Sequence, residues 1–237
     1  MKLKLNKKTQ IFCDGADYER IVKMNRNPYV KGFTTNPTLM RSSGVLNYEK
    51  FCKKILKKVN KKSVSFEVFS DDLDEMYDQA IKIASWGKNV YVKIPITNTK
   101  GNSCINLILK LLQKKVKVNV TAIFTLDQIK ELSGVLSNDN CIISIFSGRI
   151  ADTGINPELI VRHAVKHFFK RKKIKVLWAS TRELYNIYQA MNSNCHIVTA
   201  PISIIEKLSL FKKDLKQYSL ETIKMFYNDA KKANYKI

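Results

Sequence analysis

The sequence is poor in the residues and segments that mark several classes of protein. Only 8 glycines and 5 prolines occur in 237 residues, which excludes collagen-like and low-complexity chains. No apolar run reaches the ~18 residues that indicate a membrane-spanning helix, and residues 1–5 lack the apolar stretch of a signal peptide. We therefore expect a cytoplasmic protein without a membrane partner.

The five cysteines form no recognisable pattern, because their number is odd and no Cys-x-x-Cys motif is present. This spacing argues against a disulfide framework and against a structural zinc site. His163 and His167 share a helical face, but the glutamate that follows the first histidine of the zinc-protease motif is absent. We predict no metal. Since Gly-x-Gly-x-x-Gly and Walker motifs are also missing, we predict no nucleotide cofactor.

Acidic residues are scarce in this chain. The 20 Asp and Glu stand against 42 Lys and Arg, which gives a formal net charge of +22. Such an excess can neutralise the phosphates of a nucleic acid or an anionic membrane. Only seven of the basic residues are arginine, however, and arginine is the side chain best suited to bases and phosphates. We interpret the charge as solvated surface lysine and predict no specific nucleic-acid partner.

Eight short β-rich apolar runs alternate with segments of helical periodicity. The predicted strands are residues 10–13, 32–34, 64–68, 90–94, 117–120, 141–145, 175–178 and 196–199. The predicted helices are residues 16–25, 48–59, 73–84, 102–114, 126–136, 157–169 and 181–191, followed by a helical region at 202–208 and 220–230. No flexible linker interrupts the series. We predict one domain, residues 1–237, with an α/β fold: a TIM (β/α)₈ barrel with an extra C-terminal helix.

Polar side chains stand near the C-terminal end of every predicted strand, where barrels of this kind carry their chemistry. In chain order these residues are Asp14, Thr34 with Asn36, Glu67, Lys93, Asn119 with Thr121, Ser144, Ser180 with Arg182, and Thr199. A single strand Asn or Ser is usually only hydrogen-bonded within the fold. No one of these residues therefore identifies a site by itself.

Lys93 is the exception, because it interrupts the apolar strand 90–94. Burying a charged lysine is costly, which favours the neutral amine that a Schiff base requires. The alternative is an edge strand whose lysine extends its ammonium into solvent, but the neighbouring Val92 and Ile94 favour a central strand. With Glu67 and Asp14 as candidate proton carriers, the array predicts an aldolase-type site that needs neither metal nor cofactor.

Four segments together resemble the transaldolase family, in particular its short single-barrel members. They are residues 32–39 (GFTTNPTL), 92–95 (VKIP), 119–121 (NVT) and 148–154 (GRIADTG). The resemblance covers nearly the whole chain. It implies an enzyme of the pentose phosphate pathway that moves a dihydroxyacetone unit from sedoheptulose 7-phosphate to glyceraldehyde 3-phosphate through a lysine Schiff base, giving erythrose 4-phosphate and fructose 6-phosphate.

The resemblance also implies a role for each matching residue. Lys93 is the expected nucleophile, and Asp14 is the expected acid/base at the substrate hydroxyl. Glu67 is expected to shuttle protons, with Thr121 positioning a water. The residues implied to bind the sugar phosphate are Thr34, Asn36, Asn119, Ser144 and Phe146, together with a phosphate-binding set of Arg149, Ser180 and Arg182.

Fructose 6-phosphate aldolase, which resembles the transaldolases but releases free dihydroxyacetone, is the alternative. That group typically has Gln in place of Glu67 and Tyr in place of Phe146, so both positions here take the transaldolase form. A phenylalanine has no hydroxyl with which to activate a hydrolytic water. Gly15 departs from the family, which often has Thr or Ser there, and this bears on the pose of Asp14. Shorter members often form higher oligomers, so we expect that a homo-oligomer can form.

Overall fold

Eight parallel strands form a closed barrel in the computed structural model, which describes residues 8–237. Residues 1–7, which include the segment 1–5 considered above, lie outside the described residues. The strands are β1 (Gln10–Asp14), β2 (Val30–Thr34), β3 (Ser63–Glu67), β4 (Val90–Pro95), β5 (Val118–Ile123), β6 (Cys141–Ile145), β7 (Ile174–Trp178) and β8 (Ile197–Pro201). They pair in sequence order and β1 closes on β8. The predicted TIM barrel is confirmed.

Helices connect the strands and cover the outside of the barrel. They are α1 (Tyr18–Asn25), α2 (Pro37–Ser42), α3 (Tyr48–Lys58), α4 (Leu73–Ala84), α5 (Ile105–Gln113), α6 (Leu126–Val135), α7 (Ser147–Asp152), α8 (Pro157–His167), α9 (Leu184–Asn192), α10 (Ile202–Ile205) and α11 (Leu215–Lys232). A 3₁₀ turn, Glu206–Leu210, follows α10. The short helices α2 and α7 were not predicted, because six residues are too few to show helical periodicity.

Local capping signals explain where several helices begin. Asp72 caps α4 through hydrogen bonds from two backbone amides, and Thr125 forms a capping box with Gln128 at the start of α6. Asn36 caps α2, with Pro37 at its first position. The predicted helix over residues 16–25 begins instead at Tyr18, since Asp17 is its cap.

Apolar side chains also pack inside the barrel. Phe12, Ile142, Leu177 and Ile197 form a buried cluster there, separate from the large core between the strands and the helices. Gly32 makes room for it, because a Cβ at this position would lie 2.5 Å from the ring of Phe12. The barrel interior therefore contains an apolar cluster of its own.

Strand β4 lies between β3 and β5, with Lys93 in register with Glu67 on one side and Asn119 on the other. A closed barrel has no edge strand. The structure thus excludes the edge-strand alternative for Lys93, and the lysine lies in the interior of the sheet.

The last helix, α11, begins earlier than the predicted segment 220–230 and has no buried residue. An ion pair between Lys213 and Glu221 attaches its first turns to the preceding loop. Among residues 8–237, no helix combines the length and the apolar character needed to cross a membrane.

Candidate active site

Lys93 is almost completely buried, with 6% of its surface exposed. Its Nζ donates to Glu67 Oε2 at 2.7 Å and to the backbone oxygen of Thr35 at 2.8 Å. A buried ammonium needs such acceptors, because it is costly to remove its charge from water. The lysine therefore lies inside the barrel with a carboxylate in position to receive its proton.

Asp14 is the last residue of β1, the strand that pairs with β2. Its Oδ1 accepts a hydrogen bond from Thr34 Oγ1 at 2.7 Å. Since the single hydroxyl proton of Thr34 is used there, the 2.6 Å contact between Thr34 and Thr199 must be donated by Thr199. Burial raises the pKa of the Asp14 carboxyl, while the Thr34 hydrogen bond and the positive charge of Lys93 act in the opposite direction. Thr34 thus contacts the candidate acid/base.

Asn119 belongs to a second buried hydrogen-bonded chain on the opposite wall. Its Nδ2 donates to Ser65 Oγ at 3.1 Å, and its Oδ1 accepts from Ser144 Oγ at 2.6 Å. These contacts fix the amide orientation of Asn119. Both predicted residues, Asn119 and Ser144, are therefore brought together beside Lys93.

Thr121 lies two residues beyond Asn119 on the same face of β5. Its hydroxyl is buried and has no hydrogen-bond partner among residues 8–237. Ala122, the next residue, has a positive φ of 59°, and the register of β5 with β6 shifts between Val120 and Ile123. Because a buried polar group normally finds a partner, the Thr121 hydroxyl is a natural contact for a water or a substrate.

These side chains come from consecutive strands around the barrel, and we call them the polar ring. Its members are Asp14, Thr34, Ser65, Glu67, Lys93, Asn119, Thr121, Ser144 and Thr199. Asn36 lies next to it, but its Oδ1 caps α2 by accepting from Leu39 N at 2.9 Å. The amide nitrogen is the end of this side chain that can donate to a ligand.

The candidate phosphate-binding residues lie above the polar ring, at the start of α7 and after β7. Arg149 is exposed, with its guanidinium carbon 5.8 Å from the centroid of the Phe146 ring. Arg182 is exposed and pairs with Asp152. This pairing holds a second guanidinium near the end of the barrel while leaving it accessible to solvent.

Gly148 brings Arg149 close to Ser180. The Gly148 amide donates to Ala179 O at 3.3 Å, and a Cβ on Gly148 would lie 1.6 Å from Ser180 O. Ser180 itself has a positive φ of 63°, a conformation that costs a non-glycine residue some energy. Only glycine permits this approach of α7 to β7, and the approach places an arginine next to the predicted serine.

Lysine, carboxylates and hydroxyls in this arrangement suit carbonyl chemistry with proton transfer. In the part of the chain that the structure describes, no group of three or more His, Cys, Asp or Glu is placed to hold a metal ion. Two surface cavities of about 580 and 550 Å³ lie against the outside of α3 and are lined by none of the candidate residues. The chemically suitable groups are thus those of the barrel interior.

Several residues that contact the site were not singled out in the sequence. Ser65 precedes Glu67 by two residues, so strand alternation could have placed it on the same face. Asp152 lies within the segment 148–154 and could have been noted as a partner for an arginine. The backbone oxygen of Thr35 has no signal in the sequence, because any residue would supply it.

Comparison with known proteins identifies the family. A family model described as Transaldolase/Fructose-6-phosphate aldolase matches residues 11–237. A protein of Streptococcus agalactiae named "Probable transaldolase" is 33% identical over 223 residues, which is 93% of this chain and 98% of that protein. Another of that name, from Dehalococcoides mccartyi, is 32% identical over 200 residues, which is 84% of this chain and 89% of the relative.

Solved structures agree on the fold. Tryptophan synthase subunit alpha from Campylobacter jejuni has a TM-score of 0.57 at 11% identity, covering 90% of this chain and 93% of that one. The 3-hexulose-6-phosphate synthase from Salmonella typhimurium has a TM-score of 0.55 at 14% identity, covering 84% and 90%. At these identities the likeness supports the barrel alone. The matched model and the relatives show that this chain belongs to the transaldolase/fructose-6-phosphate aldolase family.

Proposed function

We propose that the protein is a transaldolase, which transfers a dihydroxyacetone unit from sedoheptulose 7-phosphate to glyceraldehyde 3-phosphate. The products are erythrose 4-phosphate and fructose 6-phosphate. The observation that carries the proposal is the 2.7 Å contact between buried Lys93 and Glu67 inside the polar ring. The names of the relatives support the same activity.

In the proposed reaction, Lys93 attacks the ketone carbon of the donor. Glu67 first takes the proton of the ammonium, which leaves the amine neutral and nucleophilic. The carbinolamine then loses water as Glu67 returns a proton to the departing oxygen. The unpartnered hydroxyl of Thr121 supplies a contact for that water. The result is a protonated Schiff base on Lys93.

Asp14 carries the second proton transfer. Its carboxylate removes the proton from the hydroxyl next to the bond that breaks, the carbon–carbon bond cleaves, and the electron pair moves into the Schiff base to give an enamine. The aldose phosphate leaves as an aldehyde. Because burial raises the pKa of Asp14, the group is a stronger base than an exposed carboxylate. Addition of the enamine to the acceptor aldehyde reverses these steps, and Asp14 returns the proton.

Binding uses the remaining predicted residues. Asn36, Asn119, Ser144 and Thr34 provide donors and acceptors for the hydroxyls of the dihydroxyacetone unit, directly or through Asp14. The phosphate lies between the exposed guanidinium groups and the serine at the mouth, which are Arg149, Arg182 and Ser180. Guanidinium groups suit this task because they bind phosphate with two parallel hydrogen bonds.

Phe146 favours transfer over hydrolysis. Its half-buried ring packs 5.6 Å from the ring of Phe124 and beside Arg149. An apolar surface here offers no group to activate water, so the enamine persists until an acceptor arrives. A fructose 6-phosphate aldolase would instead release dihydroxyacetone without an acceptor.

A coupled assay with and without the aldose phosphate acceptor tests this proposal. We expect turnover only with the acceptor, and we expect borohydride plus fructose 6-phosphate to modify Lys93 covalently. Lys93→Met should abolish both signals. Lys117→Met is the control and should keep both, since Lys117 lies just before β5 and its Nζ donates to Lys88 O. Turnover without an acceptor would identify an aldolase, and labelling at another residue would overturn the Schiff-base mechanism.

The wider setting follows from this activity. We propose a role in the pentose phosphate pathway of the cytoplasm, acting on small sugar phosphates and without a specific nucleic-acid partner. We also propose that the chain forms a homo-oligomer, and the exposed apolar face of α11 supports this. We also propose that residues 1–237 form one catalytic domain.

A further inference from the structure

The ladder of hydrogen bonds between β2 and β3 stops just before the candidate site. Thr34 and Ser65 are the last pair in register, and Thr35 N donates to Ser65 O at 3.2 Å. In a parallel ladder, the next residue of β3 to bond with β2 is Glu67. Continued pairing would direct its N–H to Thr35 O and its carbonyl to the amide of residue 37.

Neither of these two partners is available to Glu67. Residue 37 is proline, which has no N–H to donate. The oxygen of Thr35 accepts from Lys93 Nζ at 2.8 Å. The Glu67 side chain accepts the other hydrogen bond from Lys93. The Glu67 backbone therefore needs a donor and an acceptor from another part of the protein.

The hydroxyl of Tyr48, the first residue of α3, supplies both. It accepts from Glu67 N at 2.9 Å and donates to Glu67 O at 2.8 Å. Burial raises the pKa of Tyr48 above its ordinary value, so the hydroxyl keeps the proton it donates. Its ring packs 5.4 Å from Phe69, edge to face, and 6.2 Å from Trp86. One rigidly held side chain thus replaces two bonds of the sheet.

We propose that Tyr48 is a positioning residue for the Lys93–Glu67 pair, an inference that rests on the proposed function. Its hydroxyl bonds both the amide and the carbonyl oxygen of Glu67, so Thr35 O stays available to Lys93. Without it, the Glu67 amide is left with Thr35 O, its partner in a continued ladder, and competes with Lys93 for that oxygen. The Glu67 carboxylate then moves relative to Nζ, while the groups at the phosphate end of the site stay in place.

The variant Tyr48→Phe removes only the hydroxyl and keeps the ring. We expect kcat to fall by roughly ten- to a hundredfold, because small misplacements of reacting groups cost about this much. KM for the sugar phosphates should stay within about twofold, since Tyr48 does not contact them. Borohydride trapping of Lys93 should slow by the same factor as kcat. Each rate is divided by the number of sites trapped at long times, so a partly unfolded sample does not imitate a slow catalyst.

Tyr77→Phe is the matched control, because this tyrosine of α4 packs against Lys110 on the outside of the barrel. It should keep the wild-type kcat and trapping rate. A Tyr48→Phe protein with wild-type kcat and trapping rate overturns the positioning role, as does an equal loss in Tyr77→Phe. A purely structural role predicts a lower thermal midpoint with unchanged kcat per trapped site, and that result also overturns it. If the wild-type protein shows neither turnover nor trapping, the proposed function itself fails.

Discussion

Lys93 shows how a barrel can hold a charged group whose burial is energetically costly. Its ammonium is buried among apolar neighbours but has two acceptors, one from a side chain and one from the backbone. Losing either acceptor would leave part of the charge unpaired, which is far more costly than the pair is favourable. The same contacts that make the burial tolerable also give the ammonium proton a place to go.

Asp14 is a residue at which stability and the proposed activity oppose each other. Its pKa is raised by burial, so the folded protein holds the proton at pH values where the unfolded chain has released it. Stability therefore falls as the pH rises from the ordinary carboxyl value through the raised pKa. The ionised form that the proposed reaction needs is the form that the fold disfavours.

We expect Asp14→Asn to abolish transfer and to raise the free energy of unfolding at neutral pH, because burial raises the pKa of the Asp14 carboxyl and the amide avoids the cost of burying the ionised form. The amide oxygen of the asparagine can still accept a hydrogen bond from the Thr34 hydroxyl. Urea denaturation across the acidic and neutral range measures the effect. Asp78→Asn, on the exposed side of α4, is the control and should keep the wild-type dependence on pH. An unchanged pH dependence in Asp14→Asn would contradict the role of burial.

At the scale of single elements, short irregular segments position the candidate functional side chains. Pro37 ends β2 and begins α2, which removes the amide that Glu67 would otherwise use. The positive φ of Ala122 interrupts β5 just after Thr121. Helix α7 begins against the end of β7 and carries Arg149 into position. In each case, an irregular segment follows a regular strand at the C-terminal end of the barrel.

The packing of α7 on β7 gives a direct test. In Gly148→Ala, the new Cβ would lie 1.6 Å from Ser180 O, so α7 must move. We expect a loss of ~3 kcal/mol of stability, typical of overpacking against rigid backbone. The KM for phosphorylated substrates should also rise, because Arg149 moves with the helix. Thermal unfolding and steady-state kinetics measure the two effects.

Gly134→Ala is the matched control for that substitution. Gly134 lies within α6, and nothing lies within 4 Å of the position where its Cβ would stand. Alanine there should stabilise the protein by ~0.5 kcal/mol or more, because glycine loses more conformational freedom in a helix. Equal stability of Gly148→Ala and the wild type would contradict the close contact.

At the scale of the whole molecule, the barrel and the helix α11 differ in how they are packed. The strands and their helices bury a continuous core, whereas α11 exposes its apolar residues. Ile223, Phe226 and Tyr227 lie at i, i+3 and i+4 and are 61%, 63% and 66% exposed. An apolar stripe of this kind on an otherwise charged helix is typical of a surface that another protein surface covers.

We expect the protein to sediment as a multiple of its 27.3 kDa chain mass. Phe226→Glu should shift the equilibrium towards the monomer, because a charge in a buried contact is costly. Leu159→Glu, at an exposed apolar residue of α8, is the control and should leave the mass unchanged. Analytical ultracentrifugation over a range of concentrations measures the masses. A wild-type protein that remains at 27.3 kDa would rule out association.

Most of the fold was predictable because it depends on local patterns. The apolar runs predicted all eight strands, and the alternation with helices predicted the barrel. The short helices α2 and α7 were missed, since six residues show no period and their start depends on Asn36 or on contacts with β7. The predicted start of the last helix, residue 220, is also too late, since α11 begins at Leu215 after its cap Asp214.

The sequence by itself determined the kind of protein: the number of strands, the interrupted apolar run at Lys93 and the family motifs are all local properties. The tertiary structure decided which groups meet. Only closure of the barrel brings Thr35, Glu67 and Lys93 within hydrogen-bond distance, and only the interrupted ladder between β2 and β3 gives the hydroxyl of Tyr48 its two bonds. The reason is physical: backbone atoms and remote tyrosines acquire these roles through distance and orientation, which residue types alone do not specify.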